Sequence, residues 1–441
     1  MSGRIFASAV DPIGRGIVVA FAAWAVLAVS PQAVAGSGVP SATPAFDLAA
    51  KIAAAAAKPG TVIDLPPGDY RLSPMPYTDP TCGNCEDPNQ AVPATLGLRV
   101  SGLGIVIRGP GVGADGARPD SSQGEARILT HAGYGLLFED CRDCRIEGVT
   151  VTGGVRDTSG RATDAAIVVR RSSVAIERCR IANNIGDSAT VAHTIVGVMG
   201  ICGREGSELT VRDCEILRNS WDGIALYRDA QALVTDCVID GVDRGARGPA
   251  CGGRGVAIGM TWNARGKVVG NLVRRYWKGI GIFVDAEAVV RENVVEDVLT
   301  WGITLWDADK GRPFGVIEWN AVHGTGACGI SVTRGLEGGR AGSIVSHNAI
   351  ARTGQNPKYD SGEVYCYQKA LAVHATTPDI RISENWFFDN REAAGAPGVE
   401  DLTQREFRAN TRELLARLAS HGPAARGELA GILEREPGAS R

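Results

Sequence analysis

Charged and aromatic residues recur beside a string, Gly-aliphatic-x-aliphatic, that appears five times in the middle of the chain. The residues immediately before the glycine of each copy are Asp222, Arg254, Lys278, Trp301 and Cys328. A lysine or arginine can bind a sugar carboxylate, and a lysine with a lowered pKa can take the proton from the carbon beside it. We therefore predict that Asp222, Arg254 and Lys278 form a catalytic column for β-elimination or C5 epimerisation of an acidic glycan.

Aromatic side chains flank the same strings and suit a sugar polymer, because their faces pack on the apolar faces of sugar rings. A long polar loop over residues 354–369 carries further tyrosines and is typical of a segment that contacts a substrate. The predicted substrate-binding residues are Trp221, Trp277, Trp301, Tyr227, Tyr365 and Tyr367.

Two other functions are compatible with these residues. A carboxylate pair, Asp222 with Asp229 or Asp285, would support glycoside hydrolysis, which needs two carboxyl groups at the scissile bond. A non-catalytic carbohydrate-binding or surface-structural protein would carry the same side chains in solvated turns. No cofactor is predicted; for a calcium ion, the carboxylates to consider are Asp285, Asp307 and Asp309.

The elements that must position these residues follow a second pattern: an aliphatic residue, two others, Cys or Asn, one other, and an aliphatic or aromatic residue. The Cys or Asn of its nine copies is Cys144, Cys179, Cys214, Cys237, Asn271, Asn293, Asn320, Asn348 and Asn385. Repeats on this scale indicate a solenoid. The period-2 strings predict short strands, and no helical period lies between residues 98 and 390. Asparagine at an inward bend can bond to its equivalents above and below, so we expect coils of two or three strands stacked in register.

With this ladder the chain resembles the right-handed parallel β-helix repeat proteins of the pectin-lyase-like superfamily. A second signature agrees: an Ala-rich helix over Asp47–Lys58 precedes the segment Thr61–Tyr70, which contains Leu-Pro-Pro-Gly-Asp-Tyr. The resemblance implies an all-β fold, a single-stranded right-handed parallel β-helix over residues 36–390, with the helix plugging its open end. It also implies a polysaccharide as partner. The motifs of polygalacturonases, mannuronan epimerases and pectate lyases are missing, so the sequence does not place the chain in any of these enzyme families.

The eleven cysteines divide into two groups. Four occupy the ladder position, and Cys141 replaces the aliphatic residue before Cys144, so these five are interpreted as core packing. The other six are Cys82, Cys85, Cys202, Cys251, Cys328 and Cys366. Among them Cys82 and Cys85 can close a small disulfide, and Cys202 with Cys251 is a second candidate pair; the sequence leaves the pairing of the six open.

The ends of the chain differ from its middle. An apolar run followed by Ala33-Val34-Ala35 predicts a signal peptide over residues 1–35, cleaved after Ala35, and hence a secreted or periplasmic protein that is not inserted in the membrane. A net charge of −3 gives no basic footprint, so nucleic acid is not an expected partner, and we expect a monomer. Residues 391–441 form a linker and helices, predicted over Thr403–Ser420 and Ala424–Glu434, interpreted as a cap over the last coil or a mobile tail.

Overall fold

A computed structural model of the chain describes residues 46–110, 124–194, 196–243, 250–334, 342–356, 368–375, 380–392, 400–424 and 427. These residues form 33 short strands in three sheets of eleven, here named A, B and C, and four helices. Pairing is parallel throughout except between the first two strands of sheet C, which are antiparallel. Each coil contributes one strand to each sheet, which is the architecture of a three-sided parallel β-helix.

The strands of each sheet are given in spatial order. Sheet A contains β1 (Val62–Asp64), β5 (Val106–Arg108), β8 (Cys144–Glu147), β11 (Ser173–Glu177), β14 (Glu208–Arg212), β17 (Gln231–Thr235), β20 (Arg265–Val269), β23 (Glu287–Arg291), β26 (Phe314–Glu318), β29 (Ser343–Ser346) and β32 (Ile380–Ser383). Sheet B contains β2 (Gly68–Arg71), β6 (Ala126–Leu129), β9 (Thr150–Thr152), β12 (Arg180–Ala182), β15 (Glu215–Leu217), β18 (Val238–Asp240), β21 (Leu272–Arg274), β24 (Val294–Glu296), β27 (Ala321–His323), β30 (Ala349–Ala351) and β33 (Trp386–Phe388). Sheet C contains β3 (Met75–Asp79), β4 (Val92–Leu103), β7 (Tyr134–Arg142), β10 (Ala165–Arg170), β13 (Met199–Arg204), β16 (Ile224–Tyr227), β19 (Val256–Thr261), β22 (Lys278–Phe283), β25 (Trp301–Trp306), β28 (Cys328–Arg334) and β31 (Leu371–Ala375).

Alternate residues of every strand point inward and stack on their equivalents in the next coil. In sheet C one inward column consists of isoleucines, with Ile224 opposite Ile258, Ile258 opposite Ile280, and Ile280 opposite Ile303. All four are fully buried in the interior cluster. Because the period of a strand is two, this stacking also determines which residues face outward.

The asparagine ladder forms as predicted, at the bend between sheets A and B. The Nδ2 of each asparagine donates to the Oδ1 of the next, from Asn271 through Asn293, Asn320 and Asn348 to Asn385, at 2.9–3.0 Å. The residue before each ladder position has a positive φ, for example +56° at Glu292, which turns the chain through the left-handed region. A second, shorter ladder that we did not predict joins Asn184 Nδ2 to Asn219 Oδ1 at 2.8 Å.

The cysteines of the ladder are core residues, as expected. Cys179 and Cys214 are buried, and their thiols lie 3.5 and 3.3 Å from carbonyl oxygens of the preceding coil. Cys237 joins the two halves of the ladder, since its backbone N–H donates to Asn271 Oδ1 at 2.9 Å. One bend geometry therefore accepts either a small thiol or an amide.

The helices are α1 (Leu48–Ala56), α2 (Ser188–Thr194), α3 (Gln404–Asn410) and α4 (Arg412–Ala419). Leu48, Ile52 and Ala55 of α1 join the interior cluster at the first coil, where the resemblance places a plug. In the portion of the chain with coordinates, no helix has the length and apolar character needed to cross a bilayer. The predicted signal peptide, residues 1–35, lies outside the described residues, as does most of the predicted second C-terminal helix.

The two C-terminal helices that the structure describes, α3 and α4, lie along the side of the rod, where α3 contacts the last strand of sheet B. Phe407, Leu414 and Leu418 pack on the outer face of sheet B, in one cluster with Leu272 and Val294. At the last coil the inward-facing positions Val373 and Ile382 remain 39% and 38% exposed. The apolar face of α3 and α4 matches the side of the rod because sheet B presents small and aliphatic residues there.

Candidate functional site

A cavity of about 120 Å³ lies on the outer face of sheet C, over strands β16 to β25. It is walled mainly by aromatic rings and contains both acidic and basic side chains. Its described lining is Asn84, Trp221, Asp222, Tyr227, Arg254, Gly255, Val256, Gly259, Thr261, Trp262, Trp277, Lys278, Phe283, Val284, Trp306 and Ala308. An apolar pocket with a few convergent polar groups is the usual form of a small-ligand site.

Most of the residues predicted from the sequence meet in this cavity. The three predicted catalytic residues line it, and so do Trp221, Trp277 and Tyr227. Trp301 is not part of the lining but packs behind it, against Lys278. Tyr365 and Tyr367 lie outside the described residues, and their predicted role remains a prediction.

The catalytic column differs from the predicted one at Arg254. Ile224 pairs with Ile258, which puts Asp222 level with Val256, and Val256 in turn pairs with Lys278. The sequence pattern takes Val256 as the equivalent of Ile224. In the structure the equivalent inward residue is Ile258, two positions later. Arg254 lies in the turn before β19 and reaches the cavity from its side.

Asp222 is a buried carboxyl group that backbone geometry holds in place. It is 5% exposed, and its Oδ1 accepts the backbone N–H of Val256 at 2.6 Å. Burial raises the pKa of Asp222 to about 7, although the Val256 N–H, the charge of Lys278 and the Tyr227 hydroxyl all favour the ionised form. A carboxyl group with a pKa near neutrality can both accept and donate a proton at physiological pH.

Lys278 and Arg254 bring positive charge to the cavity against tryptophan faces. The Lys278 ammonium lies 4.7 Å from the ring centre of Trp301 and 6.0 Å from that of Trp306. The Arg254 guanidinium lies 5.6 Å from the ring centre of Trp221, and its Nε donates to the Ser220 carbonyl at 3.3 Å. The electron-rich ring faces attract these cations, whereas burial lowers the pKa of the Arg254 guanidinium.

Several lining residues were not singled out from the sequence. Trp262 and Thr261 end strand β19, and Asn84 comes from a loop between β3 and β4, far away in the chain. The floor includes Gly259, which stands in an outward column with Ala225 and Gly281. A Cβ added at Gly259 would meet only Val256, at 3.5 Å or more, so the missing side chain leaves real space. The sequence signal for this floor is the recurrence of small residues at equivalent outward positions of successive strands.

The carboxylates considered for hydrolysis and for calcium are placed elsewhere. Asp222 is the only acid among the described lining residues, and Asp229 and Asp285 are not among them. Asp285 Oδ1 accepts the N–H of Arg312 at 3.0 Å, and Asp307 Oδ1 accepts that of Asp309 at 3.1 Å. Within the described ranges no cluster of three or more His, Cys, Asp or Glu is arranged to hold a metal ion.

The loop that carries Asn84 is closed by the Cys82–Cys85 disulfide, which confirms that prediction. The second candidate pair, Cys202 with Cys251, does not form, because Cys202 forms no disulfide. Cys202 faces outward on β13 and is fully buried beneath the segments that cover this end of sheet C, where it packs as a small apolar side chain. Cys328 is fully buried, and Cys366 lies outside the described residues.

A larger groove, of about 740 Å³, runs across the outer face of sheet A from β8 to β26. It is open, and Arg145, Arg265 and Lys267 along it are exposed to solvent. Arg265 pairs with its neighbour Glu287 at 3.8 Å, as cross-strand charges commonly do on a solvated sheet. Size alone therefore does not make this groove the functional site, and the convergent buried groups favour the cavity on sheet C.

Comparison with known families and structures agrees with this architecture. A family model described as "Right handed beta helix region" matches residues 124–280. Those residues span strands β6 to β22, in which the three parallel sheets are in register. The chain is a right-handed parallel β-helix protein. No curated protein shows significant similarity to this β-helix protein.

Solved structures with a similar fold are distant in sequence. The tailspike protein of E. coli bacteriophage HK620 in complex with a pentasaccharide has 12% identity and a TM-score of 0.52, covering 80% of this chain and 59% of the tailspike chain. A double mutant of that tailspike has 11% identity and a TM-score of 0.52, covering 82% of this chain and 61% of the tailspike chain. The A-module of an Azotobacter vinelandii mannuronan C-5 epimerase has 15% identity and a TM-score of 0.39, covering 80% of this chain and 91% of the module. At these identities the likeness concerns the fold, and this β-helix protein spans about 60% of the tailspike length.

Proposed function

We propose that this β-helix protein acts on an acidic polysaccharide, as a lyase or C5 epimerase, at the cavity on sheet C. The observation that carries the proposal is a buried carboxyl group, Asp222, in one aromatic cavity with Lys278 and Arg254. Support for a polysaccharide also comes from the fold, since the similar tailspike structure is described with a bound pentasaccharide.

In the proposed reaction, Arg254 and Lys278 bind the carboxylate of a uronate unit and neutralise its charge. Neutralisation acidifies the C5 proton, which Asp222 in its ionised form removes, leaving an enolate stabilised by the two cations. Expulsion of the C4 oxygen, which takes up a proton from water, breaks the C4–O bond and completes β-elimination. In epimerisation Asp222 keeps the proton that it removed, and water delivers another to the opposite face of C5; in both cases Asp222 then loses its proton to solvent. Trp221 and Trp277 hold the sugar ring through its apolar face.

This assignment differs from the sequence-based one in the identity of the base. Lys278 was expected to remove the proton, which requires its neutral form. Because Lys278 lies over the faces of Trp301 and Trp306, where the rings attract a cation, we assign it the role of binding the sugar carboxylate instead. Asp222 is the better base because burial sets its pKa near the pH at which both protonation states are accessible.

Glycoside hydrolysis is less well supported, since it needs two carboxyl groups about 5–10 Å apart and the described lining holds one. A non-catalytic carbohydrate-binding or surface-structural protein remains the second candidate, because an aromatic cavity with two cations would also bind an acidic sugar without reaction. We further propose export after cleavage at Ala35 and a monomeric state, as expected from the sequence.

The test is incubation of the purified chain with polyuronates and with neutral glycans. Elimination would produce an unsaturated sugar that absorbs in the ultraviolet, and epimerisation in deuterated water would place deuterium at C5, detected by NMR. Asp222→Asn should abolish either signal. If polyuronates bind but neither product forms, the protein is the non-catalytic binding protein; if only reducing ends appear, without unsaturation, hydrolysis replaces the proposal.

A further inference from the structure

The disulfide loop between β3 and β4 forms one wall of the cavity. Asn84, at the tip of the loop, lines the cavity directly. The next residues tie the tip down: the Glu86 carbonyl accepts from Arg228 Nη2 at 3.3 Å, and the Glu86 carboxylate pairs with Lys310 at 3.2 Å. Arg228 follows β16 and Lys310 follows β25, so the loop spans the outer face of sheet C from the first coils to the far side of the cavity.

The root of the loop is held by a buried group of charges. Asp79, at the end of β3, is fully buried and pairs with Arg170 and with Arg204, and it accepts the Tyr134 hydroxyl at 2.8 Å. Gly83 sits on Arg204 so closely that an added Cβ would lie 2.6 Å from its Cδ. The loop is thus anchored by buried ion pairs at its root and by two solvent-exposed contacts at its tip, and the disulfide closes it between them.

The outer face of sheet C is covered on both sides of the cavity. Toward the first coils, outward residues such as Val168 and Cys202 are completely buried. Toward the last coils, the outward residues Thr304 and Ser331 are 1% and 4% exposed. In the part of the chain that the structure describes, a sugar chain lying along this face would therefore have to pass over the groups that cover these residues.

The size of the cavity agrees with this closure. Pockets for drug-sized molecules occupy roughly 300–1,000 Å³, whereas this one has about 120 Å³. A space of this size admits one sugar unit or less. A site that holds several sugar units side by side would need a longer groove than this cavity.

We propose that the cavity takes the terminal sugar of an acidic glycan chain, with the Cys82–Cys85 loop as the wall that stops the chain from continuing along the rod. This inference rests on the proposed function, because it specifies how the same substrate class is held. It assigns Asn84 and Glu86 a role in specificity: Asn84 contacts the terminal unit, and Glu86 keeps the wall closed.

The experiment is a titration of the intrinsic tryptophan fluorescence of the Asp222→Asn protein with three uronate oligosaccharides. These are a disaccharide, an octasaccharide, and the same octasaccharide blocked chemically at both ends. End recognition predicts affinities for the disaccharide and the octasaccharide within about threefold, and an affinity for the blocked octasaccharide at least about tenfold weaker. Equal binding of the blocked and free octasaccharides, or much tighter binding of the octasaccharide than of the disaccharide, overturns the inference and leaves the proposed function standing.

A loop variant tests the wall itself. Glu86→Ala combined with Cys82→Ser and Cys85→Ser releases the tip, and should restore most of the affinity for the blocked octasaccharide. Glu208→Ala, an exposed change on sheet A, is the matched control and should leave all three affinities unchanged. If the loop variant still rejects the blocked octasaccharide, the loop is not the wall. If none of the three oligosaccharides binds, the proposed action on acidic glycans fails, and this inference fails with it.

Discussion

The outer faces of sheets B and C are built on the same stacked coils, yet they are covered in opposite ways. The later strands of sheet B are covered by α3 and α4, whose Phe407 and Leu414 are fully buried against them. Sheet C is covered by loops that leave a cavity holding Asp222 and Lys278. The difference teaches that the coil provides a uniform scaffold, and that the segments added outside it decide whether a face is structural or able to bind a ligand.

The cavity also differs from the rest of the molecule in its buried charge. On sheet B, Arg274 Nε lies 2.9 Å from Asp240, and under the first coils of sheet C the buried Asp79 pairs with Arg170 and Arg204, so opposite charges neutralise one another there. On sheet C, Asp222 accepts a backbone N–H and its pKa is raised by burial. A carboxyl group whose pKa is shifted by burial is a common feature of functional sites.

The largest effect that we expect is the loss of activity when Asp222 is replaced, and it tests whether sheet C is the functional face. Asp222→Asn keeps the shape of the side chain and the bond from Val256, but removes the base, so we expect activity on a polyuronate to fall by about 10²–10⁴-fold. In the wild type, kcat/KM should rise with pH through about 7, as Asp222 ionises. Glu208→Gln on sheet A is the control. Unchanged turnover in the Asn variant would remove sheet C as the catalytic face.

The converse change on sheet B should affect stability and spare function. Phe407→Ala removes a fully buried ring that stacks on Phe388, with the ring centres 5.3 Å apart. We expect a loss of about 3–5 kcal/mol in the free energy that holds the C-terminal helices to the rod. Denaturant unfolding would measure this loss, and kcat at low temperature should not change. A large loss of activity in the folded variant would contradict the division between the two faces.

The free energy of unfolding should depend on pH through the buried Asp222 of sheet C. Because the pKa of Asp222 is raised from its ordinary 3.8 to about 7, the folded state binds the proton more tightly than the unfolded state does. The stability contributed by this group is therefore present below about pH 4 and lost as the pH rises to about 7. Relative to wild type, Asp222→Asn should gain roughly 1–3 kcal/mol between pH 5 and pH 9. A constant difference across this range would show that Asp222 is not held in its protonated form.

Filling the floor of the cavity should abolish binding without unfolding the protein. Gly259→Leu places a side chain where only Val256 lies nearby, and strands favour branched residues over glycine. We expect uronate affinity to fall by about tenfold or more, with the unfolding midpoint unchanged or raised. Fluorescence titration and thermal melts would measure the two effects. The matched control is Gly259→Ala, which should retain most of the affinity.

The smallest effect is expected where the C-terminal segment is clamped to the rod. His421 bonds Asp236 at 2.8 Å and Glu292 at 3.0 Å. Burial opposes protonation, but the two carboxylates raise the pKa of His421 overall, so its contribution is complete below the unfolded pKa of about 6.5 and is lost as the pH rises through the folded value. His421→Ala should cost about 1 kcal/mol at pH 5 and less at pH 9, by denaturant unfolding. An equal cost at both values would mean that the ring acts by packing alone.

Interior positions were predictable because stacking repeats them. The spacing of the ladder predicted the register of the coils, the burial of Cys144 to Cys237 and the amide stack from Asn271 to Asn385. The same register placed Asp222 and Lys278 in one column. The predicted register is wrong at Arg254. Val256 and Ile258 both fit the inward position in the sequence, and the pairing with Ile224 shows that Ile258 occupies it.

By itself, then, the sequence determined the coil, its ladder and the sheet to which the charged residues belong, since each coil must satisfy the same inward geometry. The tertiary structure alone decided that Asp222 is buried, that Asn84 closes the cavity from a distant part of the chain, and that the C-terminal helices lie along sheet B. These features are on the outside, where each segment meets a different neighbour and no repeat records the contact. The physical reason is that periodic packing leaves a periodic signal in the sequence, whereas a single long-range contact leaves none.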